Sequence, residues 1–178
     1  MGGGRAKYLI LYGFLPILPL RIGAVEPQLI SISWEGIVVN MIGICGDDCS
    51  HCPRYAATQK GSKDELEKVK ELWVRLGFRD SNIPAQELVC HGCGPENQCA
   101  YSEVRACVYA KGIESCGSCD SYPCELVNAV FEKSEKLRSQ AARICTPKEM
   151  EVLQKAFFSK KENLDRKYLE SHKKQGRY

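Results

Sequence analysis

The sequence predicts a small, mainly α domain that is rich in cysteine and stabilised by metal, with knuckle-like loops between short helices. Apolar residues recur at helical spacing in several segments, and helix-capping patterns flank those segments. Ten of the eleven cysteines lie in closely spaced clusters between Cys45 and Cys124. The 178 residues, 44% hydrophobic and 26% charged, have the composition of a globular chain that buries a core.

The first forty residues differ in character from the rest. Residues 8–20 carry no charge, but these thirteen residues are too few to cross a bilayer, which takes about 20. One interpretation is a secretory signal peptide over residues 1–24; the other is that the working protein begins at Met41, directly before the cysteine array. We therefore treat 1–40 as a doubtful N-terminal extension, 41–145 as a Cys-rich metal-binding domain and 146–178 as a C-terminal helical appendage.

The first helix that the pattern predicts spans residues 63–76. Ser62 followed by Glu65 has the spacing of a capping box, and Gly77 supplies the stop. Between them the apolar residues fall on one helical face, which predicts an amphipathic helix against the core: Leu66, Val69, Leu72, Trp73 and Leu76.

Four further helical segments follow. Pro84 predicts a short turn of helix through Val89, and Ser102 predicts a helix through Lys111 that Gly112 ends. Pro123 is the expected first residue of a longer helix whose apolar stripe runs through Leu126, Val127, Val130, Phe131 and Leu137. Thr146-Pro147 with Glu149 repeats the capping box and opens the last helical region. After Met41 no run alternates apolar and polar residues, so we expect no sheet; a β-branched stretch, 30–39, lies in the extension.

The cysteine spacing predicts a metal site. Two thiolates separated by two residues on a tight turn can face one ion, and Zn²⁺ then needs only two more sulfurs to complete a tetrahedron. Three such clusters occur within 80 residues. The cysteines expected to ligate metal are Cys45, Cys49, Cys52, Cys90, Cys93, Cys107, Cys116, Cys119 and Cys124.

Zinc is the ion that the pattern favours, and two other interpretations stay open. Ten cysteines could close two four-sulfur sites and leave two over, with their division between sites undecided. Cys52-Pro53 resembles the ending of iron–sulfur runs, so a 4Fe-4S protein that transfers electrons or supports an enzyme is the first alternative. A secreted scaffold held by disulfides is the second, and both the odd number of cysteines and the lack of an Asn-x-Ser/Thr site weigh against it.

The remaining polar candidates have ordinary interpretations. His51 and His91 sit inside cysteine clusters and could each replace a thiolate, although a loop position is the commoner outcome. We expect His172 to be solvated and Cys145 to be a buried, inert thiol. Acidic residues beside the knuckles are expected to be solvated turn-formers: Asp47, Asp48 and Asp120. The sequence therefore indicates no catalytic residue and favours a metal-binding protein over an enzyme.

The charge and the thiol content indicate which partners and which compartment to expect. The net charge is +3, and no Lys/Arg run is dense enough for nucleic acid, so neither a nucleic-acid nor a membrane partner is expected. After Cys124 the chain has 13 basic and 8 acidic residues, which indicates a solvated helical face and, as an alternative, a docking surface for an unidentified protein. Closely spaced thiols favour the cytoplasm, with secretion as the alternative if 1–24 is a signal peptide.

The order of cysteine motifs resembles that of a known family. CGDDCSHCPRYAAT, then CHGC, then CVYAKGIESCGSCDSYPCE are similar to the prokaryotic Cys-rich family called domain of unknown function 3795. All nine candidate ligands fall on positions of that pattern, together with Gly46, Pro53 and Pro123, whereas Cys99 and Cys145 fit it less clearly. The resemblance implies a start near Met41 and metal binding, since the uncharacterised family is presumed to bind metal, and it implies no reaction.

Overall fold

The computed structural model describes residues 41–95 and 97–174, so the predictions for the N-terminal extension lie outside the described residues. Helices dominate these ranges, and the prediction of a mainly α chain is confirmed. No β-strand forms in the described part of the chain, where Ile42 and Asp48 make an isolated bridge. The α-helices are α1 (Pro53–Gln59), α2 (Lys63–Arg75), α3 (Ser102–Ala110), α4 (Glu125–Ile144), α5 (Pro147–Leu153) and α6 (Lys160–Lys174).

Short 3₁₀ turns lie between these helices, at Cys49–His51, Ala85–Leu88 and Cys116–Ser118. Two of the three begin on a cysteine, which agrees with the predicted knuckle-like loops. A π-helical turn, Gln154–Phe158, joins α5 to the segment before α6. The last predicted helical region is therefore divided into two α-helices with a wider turn between them.

Helix α2 forms as its pattern predicts. The Ser62 hydroxyl caps the helix by accepting a hydrogen bond from the Glu65 N–H at 3.2 Å. The Glu65 carboxylate does not complete a capping box, because it accepts from the Lys60 ammonium at 3.0 Å instead. The apolar face is buried in the larger of two cores, whose members include Leu66, Val69, Trp73, Leu88, Ala141 and Leu153.

Two predicted helix starts are corrected. Helix α4 begins at Glu125 rather than Pro123, because Cys124 has an extended backbone (φ −97°, ψ 170°) and occupies the N-cap, while the Tyr122–Pro123 peptide bond is cis. Pro84 is likewise extended (ψ 138°) and precedes the turn Ala85–Leu88 instead of starting it. At α5 the predicted capping box is confirmed, since Thr146 and Glu149 exchange both side-chain-to-backbone hydrogen bonds.

Helix α6 packs against two cysteine-containing turns. A Cβ on Gly46 would come within 2.6 Å of the Lys160 carbonyl oxygen, and one on Gly117 within 2.8 Å of the Leu164 carbonyl oxygen. The turns also contact each other, because the Cys116 N–H donates to the Ile44 carbonyl at 3.1 Å. This helix lies beyond the boundary predicted after residue 145, and the division into domains stays a prediction.

Candidate metal centres

Four cysteines from two loops form what we call the first cluster: Cys49, Cys52, Cys90 and Cys93. Hydrogen-bonding interaction between the Cys49 and Cys93 thiols is the main cause that raises the pKa of Cys49 and lowers that of Cys93 to about 6. Burial raises the pKa of Cys52 to about 11, and the neighbouring Cys90 adds to the rise. The structure therefore brings together the second and third cysteines of the first motif and the CHGC pair.

Backbone and side-chain groups hold this cluster in place. The Ile44 N–H donates to the Cys93 sulfur, and a Cβ on Gly43 would lie only 3.1 Å from that sulfur. On the other side, the Thr58 hydroxyl accepts from the Cys90 N–H at 3.0 Å. A side chain at position 43 would therefore press on the Cys93 sulfur.

Arg54 is a buried cation beside the first cluster. It is 9% exposed, and its guanidinium donates to the carbonyl oxygens of Leu88, Val89 and Gln98, which lie directly before Cys90 and Cys99. Among the described carboxylates it has no ion-pair partner. Its charge also acts to lower the pKa of Cys52. Because an uncompensated buried cation is costly, its position favours negative charge on these sulfurs.

The other group of four, which we call the second cluster, consists of Cys107, Cys116, Cys119 and Cys124. All four line one small cavity of about 20 Å³, closed by apolar side chains that include Val108, Ile113 and Val127. This volume accommodates a single water-sized guest. Burial raises the pKa of Cys116 to about 11, and Cys124, Cys107 and Cys119 add to the rise.

A surface cation accompanies the second cluster. The Lys111 ammonium, which is exposed, donates to the Cys119 sulfur at 3.2 Å. Partial burial opposes ionisation of Cys119, but the Ser121 N–H and Lys111 outweigh it and lower the pKa of this thiol. Ser115, directly before Cys116, has a buried hydroxyl with no hydrogen-bond partner among the described residues, a common sign of a missing polar neighbour.

Cys45 lies between the clusters. Burial raises its pKa to about 11, Lys160 opposes the rise, and Cys93, Cys99 and Cys116 add to it. Its thiol donates to the Asp47 carboxylate at 3.4 Å, and that carboxylate pairs with the buried Lys160. Lys160 also lies 4.9 Å from the Tyr101 ring centre. Asp47 is therefore partly buried and paired with a buried cation, and it is not the solvated turn-former that the sequence predicted.

The remaining candidates lie outside the clusters. His51 is exposed, with its Nδ1 2.9 Å from Asp48, and His91 is exposed as well. The expectation that His172 is solvated is wrong: it is 4% exposed, with its Nδ1 2.8 Å from the Tyr168 carbonyl and its Nε2 3.6 Å from Asp120. Cys145 is partly buried against the larger core, and its pKa is raised by that burial.

Within residues 41–95 and 97–174, no group of three or more His, Cys, Asp or Glu side chains stands close enough together to hold a metal ion. All eleven cysteines are free thiols. No helix of this part of the chain is both long and apolar enough to span a bilayer.

Comparison with known families agrees with the cysteine pattern. The family described as "Protein of unknown function (DUF3795)" matches residues 41–129, half of the 178 residues. The chain belongs to this family. The predicted resemblance is thereby confirmed, and the matched DUF3795 region contains both cysteine clusters together with Arg54 and Lys111. No curated protein and no solved structure matches the chain. Because DUF3795 is uncharacterised, membership assigns no reaction.

Sequence reasoning missed the two cations. Arg54 follows Cys52-Pro53 at the start of α1, and Lys111 stands directly before the glycine that follows α3. Both look like ordinary solvated helix residues in the sequence, because nothing local shows that one is buried and that the other meets a sulfur. The available signal was a basic residue within a few positions of a cysteine motif, two residues after Cys52 and four after Cys107.

Proposed function

We propose that this chain is a zinc-binding protein with two four-sulfur sites, one at each cluster. The first cluster would hold one ion through Cys49, Cys52, Cys90 and Cys93, and the second would hold another through Cys107, Cys116, Cys119 and Cys124. Zinc bound by four thiolates has no open position, so such sites stabilise structure instead of activating water. Cys45, Cys99 and Cys145 are left outside both sets.

The small cavity in the second cluster carries this proposal. Four sulfurs line a space of about 20 Å³, and a zinc ion with four thiolates at about 2.3 Å is a guest of that scale. The side chains would have to rotate to converge on the ion, because no ligand geometry is preformed in the described residues. The donor set and the cavity therefore fit zinc.

Nearby cations support thiolate rather than thiol at both clusters. A tetrathiolate zinc site has a net charge of about −2, which basic neighbours stabilise. Arg54 and Arg105 act on the first cluster, since Arg105 helps to lower the pKa of Cys93. Lys111 acts on the second.

Cys45 is excluded from the ligand sets on two grounds. Its proton has an acceptor in Asp47, and the positive charge of Lys160 is already paired with that carboxylate. Two tetrathiolate zinc sites would together have a net charge of about −4. A neutral Cys45 thiol between them avoids adding another buried negative charge. Because the proposal needs reduced thiols, we infer that the protein works in a reducing compartment such as the cytoplasm.

Metal analysis of the full chain, purified without air, tests the proposal. We expect about two zinc ions per chain and no visible absorption, because Zn²⁺ is d¹⁰. Iron with acid-labile sulfide and a brown colour would replace zinc with the iron–sulfur alternative. A metal-free chain whose thiols resist alkylation until a reductant is added would indicate the disulfide scaffold and overturn both metal proposals.

A further inference from the structure

The backbone of Ile44 connects the two clusters directly. Its N–H donates to the sulfur of Cys93 in the first cluster. Its carbonyl accepts from the N–H of Cys116 in the second cluster at 3.1 Å. Cys116 begins the 3₁₀ turn Cys116–Ser118, and the Cys119 N–H bonds back to the Cys116 carbonyl at 3.1 Å. A displacement of Ile44 would therefore change the positions of ligands in both clusters.

The residues around Ile44 form a closed turn. The Gly43 N–H donates to the Asp47 carbonyl at 2.7 Å, and the Gly46 N–H donates to the Gly43 carbonyl at 3.0 Å. Helix α6 holds the same turn, because the buried Asn163 side chain donates to the Gly46 carbonyl at 3.0 Å. The N–H and the carbonyl of Ile44 are therefore held in one small unit, and a shift of one moves the other.

The side chain of Ile44 belongs to the smaller of the two cores, which both clusters touch. Cys93 of the first cluster and Cys116 of the second are both partly buried against this core. Packing therefore reinforces the connection that the backbone makes. The buried members of this smaller core are Ile44, Cys45, Val104, Val108 and Val130.

Metal at one cluster would order this shared segment for the other. In the described residues no three potential ligands stand close enough together to hold an ion, so each cluster must become ordered as its ion binds, at a cost in conformational entropy. A hydrogen bond to a charged acceptor is stronger than one to a neutral acceptor, so a metal-bound Cys93 thiolate would hold the Ile44 N–H more firmly. The second ion would then bind to a chain in which Ile44 is already fixed.

We propose that the two clusters bind zinc cooperatively through Ile44, each ion raising the affinity of the other cluster about tenfold. This inference rests on the proposed function, because it needs one zinc site at each cluster. The coupling is reciprocal, since a binding free energy shared between two sites acts equally on both. It is compatible with different affinities at the two clusters.

Competition with a chelator measures the coupling on the full chain, kept reduced and loaded with zinc. Cys119→Ser gives the association constant of the first cluster alone, and Cys52→Ser gives that of the second. In the unchanged chain, the constant for binding both ions should exceed the product of these two by about tenfold. Two bound ions with a constant equal to or below that product would overturn the cooperativity alone. A chain that binds no zinc would overturn the proposed function as well.

Two further variants test the role of Ile44, each combined with the same cysteine substitutions. Ile44→Gly keeps the N–H and the carbonyl but frees the backbone and removes the side chain from the smaller core, so the factor should fall towards one. Val130→Ala removes apolar volume from the same core and should keep the tenfold factor. An unchanged factor in Ile44→Gly, or an equal loss in both variants, would overturn the assignment to Ile44.

Amide hydrogen exchange in Cys119→Ser gives a second measurement that does not require a change at Ile44. One zinc ion in the first cluster should slow exchange of the Cys116 N–H, whose acceptor is the Ile44 carbonyl, by about tenfold. The Met150 N–H, which donates to the Thr146 carbonyl in α5, should change less. Equal slowing of the two amides would mean general stabilisation and would overturn the connection through Ile44.

Discussion

The two cysteine clusters contain the same number of sulfurs but differ in how their charge is balanced. At the first cluster, the cation Arg54 is buried and bonded to the loops that carry Cys90 and Cys99. At the second, the cation Lys111 lies on the surface and contacts one sulfur. A buried charge cannot be replaced by water, whereas a surface charge is screened by salt.

The two clusters therefore rely on different interactions: the first on a buried counter-charge, and the second mainly on packing. In the first cluster, one side chain supplies both the counter-charge and the connection between loops. In the second, apolar residues line the cavity and helix α6 packs against the turn Cys116–Ser118, while the surface cation acts on the thiols of Cys119 and Cys116. We therefore expect the first cluster to resist metal loss and the second to exchange its metal more readily.

Among the tests of this comparison, removal of metal is expected to change the stability of the chain most. A closed zinc site contributes about 10–16 kcal/mol, comparable to the whole stability of a typical domain at about 5–15 kcal/mol. Stepwise addition of a chelator, followed by amide NMR, should empty the second cluster first and then unfold the chain. Loss from the first cluster before the second would contradict the ranking.

Arg54→Met should be the most damaging of the single substitutions compared below. It leaves three carbonyl oxygens without a donor and the first cluster without its counter-charge, so we expect a loss of about 3 kcal/mol in the free energy of unfolding. Urea unfolding of the metal-loaded chain measures this loss.

Lys111→Met is the matched change at the second cluster. It should leave urea unfolding nearly unchanged and speed metal transfer from that cluster alone, because its cation is exposed. If Arg54→Met and Lys111→Met lowered the free energy of unfolding by similar amounts, the buried cation would contribute no more to stability than the surface cation.

Gly46→Ala tests how closely helix α6 packs against the cysteine-containing turns. The added Cβ would meet the Lys160 carbonyl oxygen of α6 at 2.6 Å, whereas at Gly61, which has a similar left-handed backbone, nothing lies within 4 Å. We expect Gly46→Ala to cost about 1–3 kcal/mol more than Gly61→Ala, and thermal unfolding of the two variants measures the difference. Equal losses would mean that α6 does not restrict this turn.

Thr146→Ala has the smallest expected effect. It removes the capping box of α5, which contributes about 1 kcal/mol, and it touches neither cluster. Stability should fall by that amount with the metal content unchanged. A drop in zinc content would show that the larger core and the clusters are coupled.

The sequence predicted the helices better than it predicted the site. Ser62, Gly77 and the Thr146-Pro147 pair marked helix ends because capping is a local interaction, whereas the start of α4 depended on the extended backbone of Cys124. The cysteine spacing predicted clusters without saying which pairs meet. That pairing depends on how loops about 40 residues apart fold together.

Buried polar groups were the least predictable. Lys160 and His172 lie in a strongly charged segment, and both are buried by contacts with residues about 50–110 positions earlier. Periodicity carries no information on such distant partners. The same holds for Arg54, whose hydrogen-bond partners come from two other loops.

Native mass spectrometry of the zinc-loaded chain and three cysteine variants tests the central claim most directly. We expect two zinc ions in the unchanged chain and in Cys145→Ser, which alters a thiol outside both clusters. Cys52→Ser and Cys119→Ser should each retain one ion, and the retained ion should belong to the other cluster. Two ions in either of these variants, or none in the unchanged chain, would contradict one zinc site at each cluster.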